Sequence, residues 1–180
     1  MRALVVFESM FGDTQRVAEA VAAGLASTMD VEMVEVGVAP PVVPGGLTLL
    51  VVGGPTHAFG MSRAGTRQTA ATKAEHGLVS GGIGLREWLP ALRGAGAAVA
   101  AAAFDTKIRK PWVPGSAASA VHKRLRRLGF RMAAPAQSFY VKDMAGPLLP
   151  GELDRARQWG ERLGATFRAP GEIARGQRQG

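Results

Sequence analysis

The sequence predicts a doubly wound α/β fold, in which a five-stranded parallel sheet with strand order 2-1-3-4-5 carries helices on both faces. Residues 2–7 and 47–53 are short, almost continuously apolar runs, which are typical of strands buried inside a parallel sheet. Strand patterns alternate with helix patterns along the chain, as they do around a parallel sheet. A helix directly follows the first strand, and a right-handed crossover through it fits the doubly wound order.

Local patterns define the elements in the first half of the chain. Residues 14–27 place apolar residues one helical turn apart, whereas residues 31–36 alternate apolar and polar residues, as a strand near the edge of a sheet does. Residues 54–84 are rich in glycine and small residues and indicate one helix, around 64–75. The further predicted helices lie at 85–93, 117–128 and 151–166.

The alanine-rich segment 97–104 fits two structures. Its composition favours a helix by propensity. We predict a strand, because Gly94 and Gly96 precede the segment and a helix follows soon after it. The last strand is predicted within residues 130–141.

The composition is that of one globular domain. The chain has 180 residues, of which 47% are hydrophobic, and we expect one domain at 1–167 followed by a disordered basic tail at 168–180. The absence of cysteine excludes disulfides, iron–sulfur clusters and thiol nucleophiles. The three histidines lack the spacing of metal ligands, so we expect no metal site.

Hydropathy predicts a protein without a membrane span. The longest apolar run, at 95–104, is about ten residues long, whereas a membrane-spanning helix needs roughly 20. Only a short apolar run follows Arg2, which is not the pattern of a secretory leader. We therefore expect a cytoplasmic protein.

The charge balance is strongly basic, with a formal net charge of +8 and a pI of about 11.0. Such a balance favours acidic partners, which include nucleic acid, acidic proteins and anionic lipid, or it reflects an arginine-rich composition without a specific partner. Within the helix at 117–128, five basic residues crowd one face: His122, Lys123, Arg124, Arg126 and Arg127. No recognised nucleic-acid motif accompanies them, so we interpret this face as solvated and do not expect nucleic acid as a partner.

Strand order also predicts where a ligand binds. In open α/β sheets, ligands bind beyond the carboxyl ends of the strands at the point where the strand order reverses. In the predicted order this point lies between strands 1 and 3. The loops that should converge there are residues 8–14, 54–63 and 105–116.

The first of these loops combines small polar residues with a glycine at the start of a helix. Ser9, Asp13 and Thr14 surround Gly12, which lets the backbone turn back on itself. Exposed N–H groups and the helix dipole would make this loop a cradle for an anion. The alternative is that the same residues only cap the helix. The loop contains no lysine and does not match a nucleoside-triphosphate loop or a Gly-x-Gly-x-x-Gly loop.

The other two loops carry aromatic and basic residues. Residues 54–61 have glycines near both ends and hold His57 and Phe59, which suits a wall against a flat heterocycle; an ordinary turn is the alternative. The loop at 105–116 carries Trp112 and three cations, which are Lys107, Arg109 and Lys110. A solvated basic loop is the alternative interpretation of this segment.

Two segments resemble flavodoxins. VVFESMFGDTQRVAEAVAAGL is similar to their first strand, phosphate loop and first helix, and LTLLVVGGPTHAFG is similar to their third strand and the loop that flanks the flavin ring. The flavodoxin phosphate loop is usually Ser/Thr-x-Thr-Gly-x-Thr. Ser9, Gly12 and Thr14 match this pattern, and Phe11 replaces the middle threonine. The resemblance extends over about residues 2–166.

The resemblance implies a flavodoxin-like fold of the short-chain type and the cofactor flavin mononucleotide (FMN). The cofactor-binding residues it implies are Ser9, Met10, Phe11, Gly12, Asp13, Thr14, Pro55, Thr56, His57, Ala58, Phe59, Gly60, Phe104, Asp105, Thr106 and Lys107. The chain departs from electron-carrier flavodoxins in being basic rather than acidic. Flavodoxins tend to hold the ring between Trp and Tyr; here the second loop offers His57 and Phe59 and the third offers Phe104 and Trp112, and which of them stacks on the ring is left open.

The sequence thus favours an FMN-binding electron carrier with a redox partner protein or a small-molecule acceptor. The alternatives are an FMN-dependent reductase of the NAD(P)H or quinone type, and a flavodoxin-fold binding module without flavin. We identify no catalytic acid–base pair, so whether the protein is an enzyme is left open. The sequence allows a monomer or a homodimer.

Overall fold

The computed structural model describes residues 1–57, 60–74, 77–94, 96, 98–109 and 115–168. The strands, in chain order, are β1 (Arg2–Phe7), β2 (Asp30–Glu35), β3 (Leu49–Pro55), β4 (Ala100–Ile108), β5 (Arg131–Met132) and β6 (Gln137–Val141). The helices are α1 (Asp13–Leu25), α2 (Ala64–Ala71), α3 (Leu85–Ala91), α4 (Ala117–Arg127) and α5 (Glu152–Ala165). None of the helices within these ranges is long and apolar enough to cross a membrane.

All the strands form one parallel sheet in the order β2-β1-β3-β4, with β5 and β6 both paired to β4. The order confirms the prediction. In the centre of the sheet Val5 lies between Met33 of β2 and Val51 of β3. These central strands are apolar because both of their faces are covered by helices.

The predicted last strand is wrong in one respect, because it is split into β5 and β6. Met132 pairs with Ala101 and Gln137 pairs with Phe104. Between these two pairs the last strand therefore contains two more residues than β4 does. Pro135 lies in this interval. Proline has no N–H for the ladder, so the strand is interrupted there and resumes beyond it.

The core has two halves, one on each face of the sheet. Alternate strand residues point to opposite faces: Val5 and Phe7 pack under α1 and α5, whereas Leu4 and Val6 pack under α3 and α4. In the first half, the rings of Phe104, Phe139 and Trp159 lie 6.1 Å from one another, centroid to centroid, in edge-to-face contacts. The second half is built around Trp88, which is 2% exposed.

Helices α1 and α5 approach each other closely because glycines form their contact. A Cβ on Gly24 would lie 2.1 Å from the carbonyl oxygen of Arg157, and a Cβ on Gly160 would lie 2.3 Å from that of Val21. Both distances are far below van der Waals contact, so any side chain at either position would push the helices apart.

Strands β3 and β4 both continue beyond their predicted ends, and this extension shapes the ligand-binding edge. They stay paired up to Pro55 and Thr106. Beyond that point β4 runs on to Ile108 because β6 pairs with its other side. Residues predicted to lie in the third loop therefore belong to a strand.

Candidate functional site

A cavity of ≈ 440 Å³ opens at the carboxyl ends of the strands, where the sequence predicts a ligand. The loop after β1 and the ends of β3, β4 and β6 form its floor and sides, and α2 forms a further wall. The lining residues are Ser9, Met10, Phe11, Asp13, Thr14, Pro55, Thr56, His57, Thr66, Thr69, Ala70, Lys73, Thr106, Lys107, Ile108, Val141 and Met144.

Ser9 organises the first loop. Its hydroxyl oxygen accepts hydrogen bonds from the backbone N–H groups of Gly12, at 3.1 Å, and Gln15, at 3.3 Å. Gly12 adopts a φ of 97°, in the left-handed region that favours glycine, and α1 begins immediately after it. The capping alternative therefore holds for Ser9, which is fully buried.

The rest of the loop leaves backbone donors available. Among the described residues, the N–H groups of Met10, Phe11, Asp13 and Thr14 have no hydrogen-bond acceptor. They lie at the N-terminus of α1, where the helix dipole places partial positive charge. Unbonded N–H groups at such a position suit an anion such as a phosphate. The anion-cradle and capping interpretations are thus compatible, since different groups serve each.

Hydroxyl groups connect this loop to β3 and β4. Thr14 Oγ1 lies 2.7 Å from Thr106 Oγ1, and both side chains are buried. The backbone N–H of Thr56 donates to the carbonyl oxygen of Thr106 at 2.9 Å. These bonds hold the ends of all three elements at one edge of the cavity.

The loop after β3 begins with a tight turn. His57 and Gly60 exchange backbone hydrogen bonds of 2.8 and 3.0 Å. Ala58 and Phe59 lie outside the described residues. Burial, and secondarily the charge of Arg67, lower the pKa of His57 below its usual value. His57 is therefore neutral at physiological pH, with an imidazole on the cavity wall.

Four predicted cofactor-binding residues that the structure describes are not among those that line the cavity: Gly12, Gly60, Phe104 and Asp105. Phe104 packs in the core on the α1 and α5 side and is fully buried. Asp105 is also fully buried, and its Oδ2 accepts from the hydroxyls of Thr56 at 2.8 Å and Ser116 at 2.6 Å. Asp105 thereby ties the end of β4 to the start of α4. Phe104 and Asp105 both belong to β4, and its pairing with β3 and β6 keeps them inside the sheet.

The basic third loop is described only in part. Lys107 lines the cavity, and its Nζ donates to the carbonyl oxygen of Gly115 at 3.0 Å. The guanidinium of Arg109 lies 5.8 Å from the centre of the Tyr140 ring. Lys110 and Trp112 lie outside the described residues.

The contribution of α2 to the cavity was not predicted. Thr66, Thr69 and Ala70 lie on one face of the helix and line the cavity together with Lys73, which lies just beyond its end. The connection from β3 to α3 had no clear pattern, because α2 buries only Arg67 and Ala70. Ile108, Val141 and Met144, which line the opposite side, were missed as well.

A buried polar network attaches α2 to the sheet. Glu8, directly after β1, is 1% exposed and accepts hydrogen bonds from the hydroxyl of Ser62 and from the N–H of Leu85, the latter at 2.8 Å. Arg67 of α2 donates to Ser62 Oγ at 2.9 Å and lies 3.2 Å from a carboxylate oxygen of Glu87. Burial raises the pKa of Glu8, against the opposing effect of these partners. In the sequence, the signal that could have indicated this network is a carboxylate, Glu8, directly after a buried strand.

The chain beyond α2 then returns to the first loop. Ser80 N–H donates to the carbonyl oxygen of Ser9 at 2.8 Å, and Ser80 Oγ accepts from Ser9 N–H at 2.9 Å. Val79 N–H donates to the carbonyl oxygen of Met10 at 3.1 Å. The connection between β3 and α3 is thus fixed to the loop that carries the unbonded N–H groups.

No protein-family model matches the sequence, and no curated protein matches it. Solved flavodoxin structures do match the fold over most of the chain. A flavodoxin from the domain Archaea shares 19% identity at a TM-score of 0.63, covering 92% of this chain and 98% of its own. Flavodoxin 1 from Bacillus cereus shares 13% identity at a TM-score of 0.67, covering 94% and 100%.

A short-chain flavodoxin associated with a non-canonical PDU bacterial microcompartment also matches. It shares 14% identity at a TM-score of 0.64, and the match covers 93% of this chain and 99% of that protein. The chain therefore has the flavodoxin fold, as the resemblance implied, and its size agrees with the short-chain form.

Proposed function

We propose that this flavodoxin-fold domain binds FMN in the cavity and works in the cytoplasm as an electron carrier for a redox partner. The unbonded N–H groups of Met10, Phe11, Asp13 and Thr14 at the start of α1 are the observation that carries the proposal. Bound FMN would supply the capacity to take up and release electrons, and the chain supplies binding and electrostatics.

The remaining cavity residues fit the same cofactor. The first-loop N–H groups would hold the phosphate, and Thr14 Oγ1 is positioned beside them. The apolar side chains of Met10, Ile108 and Val141 suit a flat ring system. His57 also lines the cavity, and its imidazole can face ring heteroatoms.

Asp13 is the residue in the first loop that would repel a phosphate, and its surroundings reduce this effect. Its carboxylate faces Gly146, where a Cβ would lie 2.1 Å from Oδ2, and Arg16 lies 3.8 Å from Oδ1. Burial raises the pKa of Asp13, whereas Arg16 and a hydrogen bond from the backbone N–H of Leu148 oppose this and stabilise the carboxylate. For a bound phosphate, the loop therefore offers several favourable N–H donors and one unfavourable, partly compensated carboxylate.

Titration of the purified protein with FMN tests the proposal. We expect quenching of the flavin fluorescence at saturation, and an absence of quenching would overturn it. Gly12→Val should weaken FMN binding, because valine is strained at a φ of 97°. Gly46→Val is the matched control, since Gly46 has a φ of 74° and open space around it in a loop away from the cavity.

Riboflavin lacks the phosphate, so its binding measures the contribution of the ring site without that of the anion cradle. Thr14→Ala should weaken FMN binding by about 1.5–3 kcal/mol, the cost of one hydrogen bond to a charged group. It should leave riboflavin binding unchanged. Equal losses for both ligands would place the phosphate elsewhere.

Oxidation of NADH or NADPH by the flavin-loaded protein separates a carrier from a reductase. We expect no sustained turnover with a quinone acceptor. Sustained turnover would identify a reductase instead.

A further inference from the structure

We propose that the mouth of the cavity is a docking surface for an acidic redox protein. The surface is a basic rim formed by Lys73, Lys107, Arg109 and Lys142. Its role in electron transfer rests on the proposed function, whereas its binding of an acidic surface does not require the flavin.

The basic rim stands on three elements around the cavity. Lys73 lies just beyond α2, Lys107 and Arg109 at the end of β4, and Lys142 directly after β6. Lys73 and Lys107 line the cavity itself. All but Lys107, which is half-buried, are exposed to solvent.

The basic-rim cations form no salt bridge with any carboxylate in the described part of the chain. Among the described residues, no carboxylate lies within 4.0 Å of any basic-rim cation. Two carboxylates lie at the same edge: Asp13 pairs with Arg16, and the exposed carboxylate of Asp143, next to Lys142, accepts from the N–H of Met144 at 2.6 Å. In the described part of the cavity mouth the four basic-rim cations therefore outnumber these two carboxylates.

The basic end of α4 is a separate feature. Helix α4 begins beside the cavity, where Ala117 N–H donates to Thr56 Oγ1 at 2.9 Å, and then runs toward the opposite edge of the sheet. Its basic residues are concentrated in the last turn, about 15 Å away along an 11-residue helix. This distance exceeds the Debye length of about 10 Å at 0.1 M salt. The potential at the cavity is therefore set by the basic rim.

An acidic protein fits this surface better than a small anion does. The cations lie on both sides of the cavity and on separate elements, so a single small ligand inside the cavity would leave several of them facing solvent. A protein surface rich in Asp and Glu could face all of them at once, and charge complementarity of this kind steers association and sets specificity.

Binding of a fluorescein-labelled Glu-rich peptide, followed by fluorescence anisotropy, tests the proposal without flavin. The test variant is Lys73→Glu with Lys142→Glu. The matched control is Arg126→Glu with Arg127→Glu, which changes the net charge equally on exposed residues of α4. We expect the test variant to lose affinity by on the order of tenfold and the control by less than about twofold.

Two outcomes of the peptide measurement would overturn the proposal. Equal losses in both variants would show that only net charge matters, and a larger loss in the control would place the interaction on α4. Labelled duplex DNA provides a further comparison. If it bound through the basic rim more tightly than the peptide did, the surface would recognise nucleic acid and not an acidic protein.

A second measurement uses the flavin-loaded, reduced protein and small acceptors of opposite charge. Oxidation by ferricyanide, a trianion, should slow as salt shortens the Debye length from about 30 Å to about 3 Å, whereas oxidation by hexaammineruthenium(III), a trication, should speed up. The test variant should lose both trends and the α4 control should keep them. Trends of the opposite sign in the wild type would overturn the proposal. Failure to bind FMN would refute the proposed function and leave the peptide measurement decisive for the basic rim.

Discussion

The carboxylate of Glu8 is buried directly after β1, and Arg67 is the nearby cation. Burial is the largest influence on Glu8 and raises its pKa above 4.5, its value in an unfolded chain. The folded protein therefore binds this proton more tightly than the unfolded chain does. The resulting stabilisation is complete below the unfolded pKa and is lost as the pH rises through the higher folded pKa. In its ionised form Glu8 is stabilised by its hydrogen bonds and by Arg67.

Replacing Arg67 by alanine should therefore destabilise the protein most at neutral pH. The variant would leave Glu8 buried without its cation, at a cost of about 3–5 kcal/mol. The loss should be smaller at pH 5 than at pH 7, because a larger fraction of Glu8 is protonated at the lower pH and the protonated carboxyl does not need the cation. The same trend follows from Glu87, whose pKa Arg67 helps to lower, and from His57, whose protonation Arg67 opposes. Urea unfolding at both pH values measures the effect.

Arg157→Ala is the control for this prediction. Arg157 pairs with Glu161 at 3.2 Å on the surface of α5, where the two side chains are 66% and 46% exposed. Such pairs contribute at most about 1 kcal/mol, so the control should lose little at either pH. If Arg67→Ala lost the same stability at both pH values, Arg67 would act through packing and not through its charge.

At the scale of whole elements, the contact between α1 and α5 leaves no room for a side chain. Gly160→Ala would place a Cβ 2.3 Å from the carbonyl oxygen of Val21, which is backbone and cannot rotate away. We expect a loss of about 1–3 kcal/mol in the free energy of unfolding. The better helix propensity of alanine, worth about 1 kcal/mol, would offset only part of the strain.

Gly65→Ala is the matched control in α2. Gly65 is helical, and a Cβ there would meet nothing within 4 Å. We expect unchanged or slightly increased stability, measured by the same urea unfolding. Destabilisation of both variants to the same extent would contradict the argument from close packing.

The sequence predicted most elements because their burial pattern is visible locally. The strands β1 and β3 are apolar on both faces, and α1 carries a regular apolar stripe, so their order along the chain indicated the sheet. The split of the last strand was not predicted, because the register on β4 depends on residues distant in sequence. The extent of α2 was missed because a helix that buries one charged side chain and one alanine has no apolar stripe to detect.

The candidate site could be predicted from the sequence where the residues that shape it lie within one loop. Gly12 and Ser9 lie close together in sequence, so the turn and the cap could be inferred from the residues. Glu8 and Arg67 meet only in the folded chain, and no local pattern connects them. Phe104 was placed in the site because β4 was expected to end there, but pairing with β3 and β6 extends the strand and keeps the ring in the core.

At the scale of the whole molecule, we predict that the last residues are not needed for stability or for FMN binding. Residues 169–180 lie outside the described residues, and Ile173 is their only large apolar residue. Truncation after Arg168 should change the melting temperature by no more than about 2 °C, as surface changes in a protein of this size do.

A slightly longer truncation provides the contrast. Phe167 packs against the core on the α1 and α5 side, and the guanidinium of Arg131 lies 5.9 Å from the centre of its ring. Truncation after residue 166 should therefore lower the melting temperature clearly further. A large fall already on removal of 169–180 would show that the domain extends beyond residue 167.

The glycine contact also affects how the chain folds as it is synthesised. It joins Gly24, near the start of the chain, to Gly160, near its end. Contacts between such distant residues require a large loop to close and slow folding. Until α5 has left the ribosome, the sheet face that Trp159 and Leu163 later cover stays open. A nascent chain with an exposed apolar face is prone to aggregation, and the half of the core under α1 and α5 cannot close before the last helix has been synthesised.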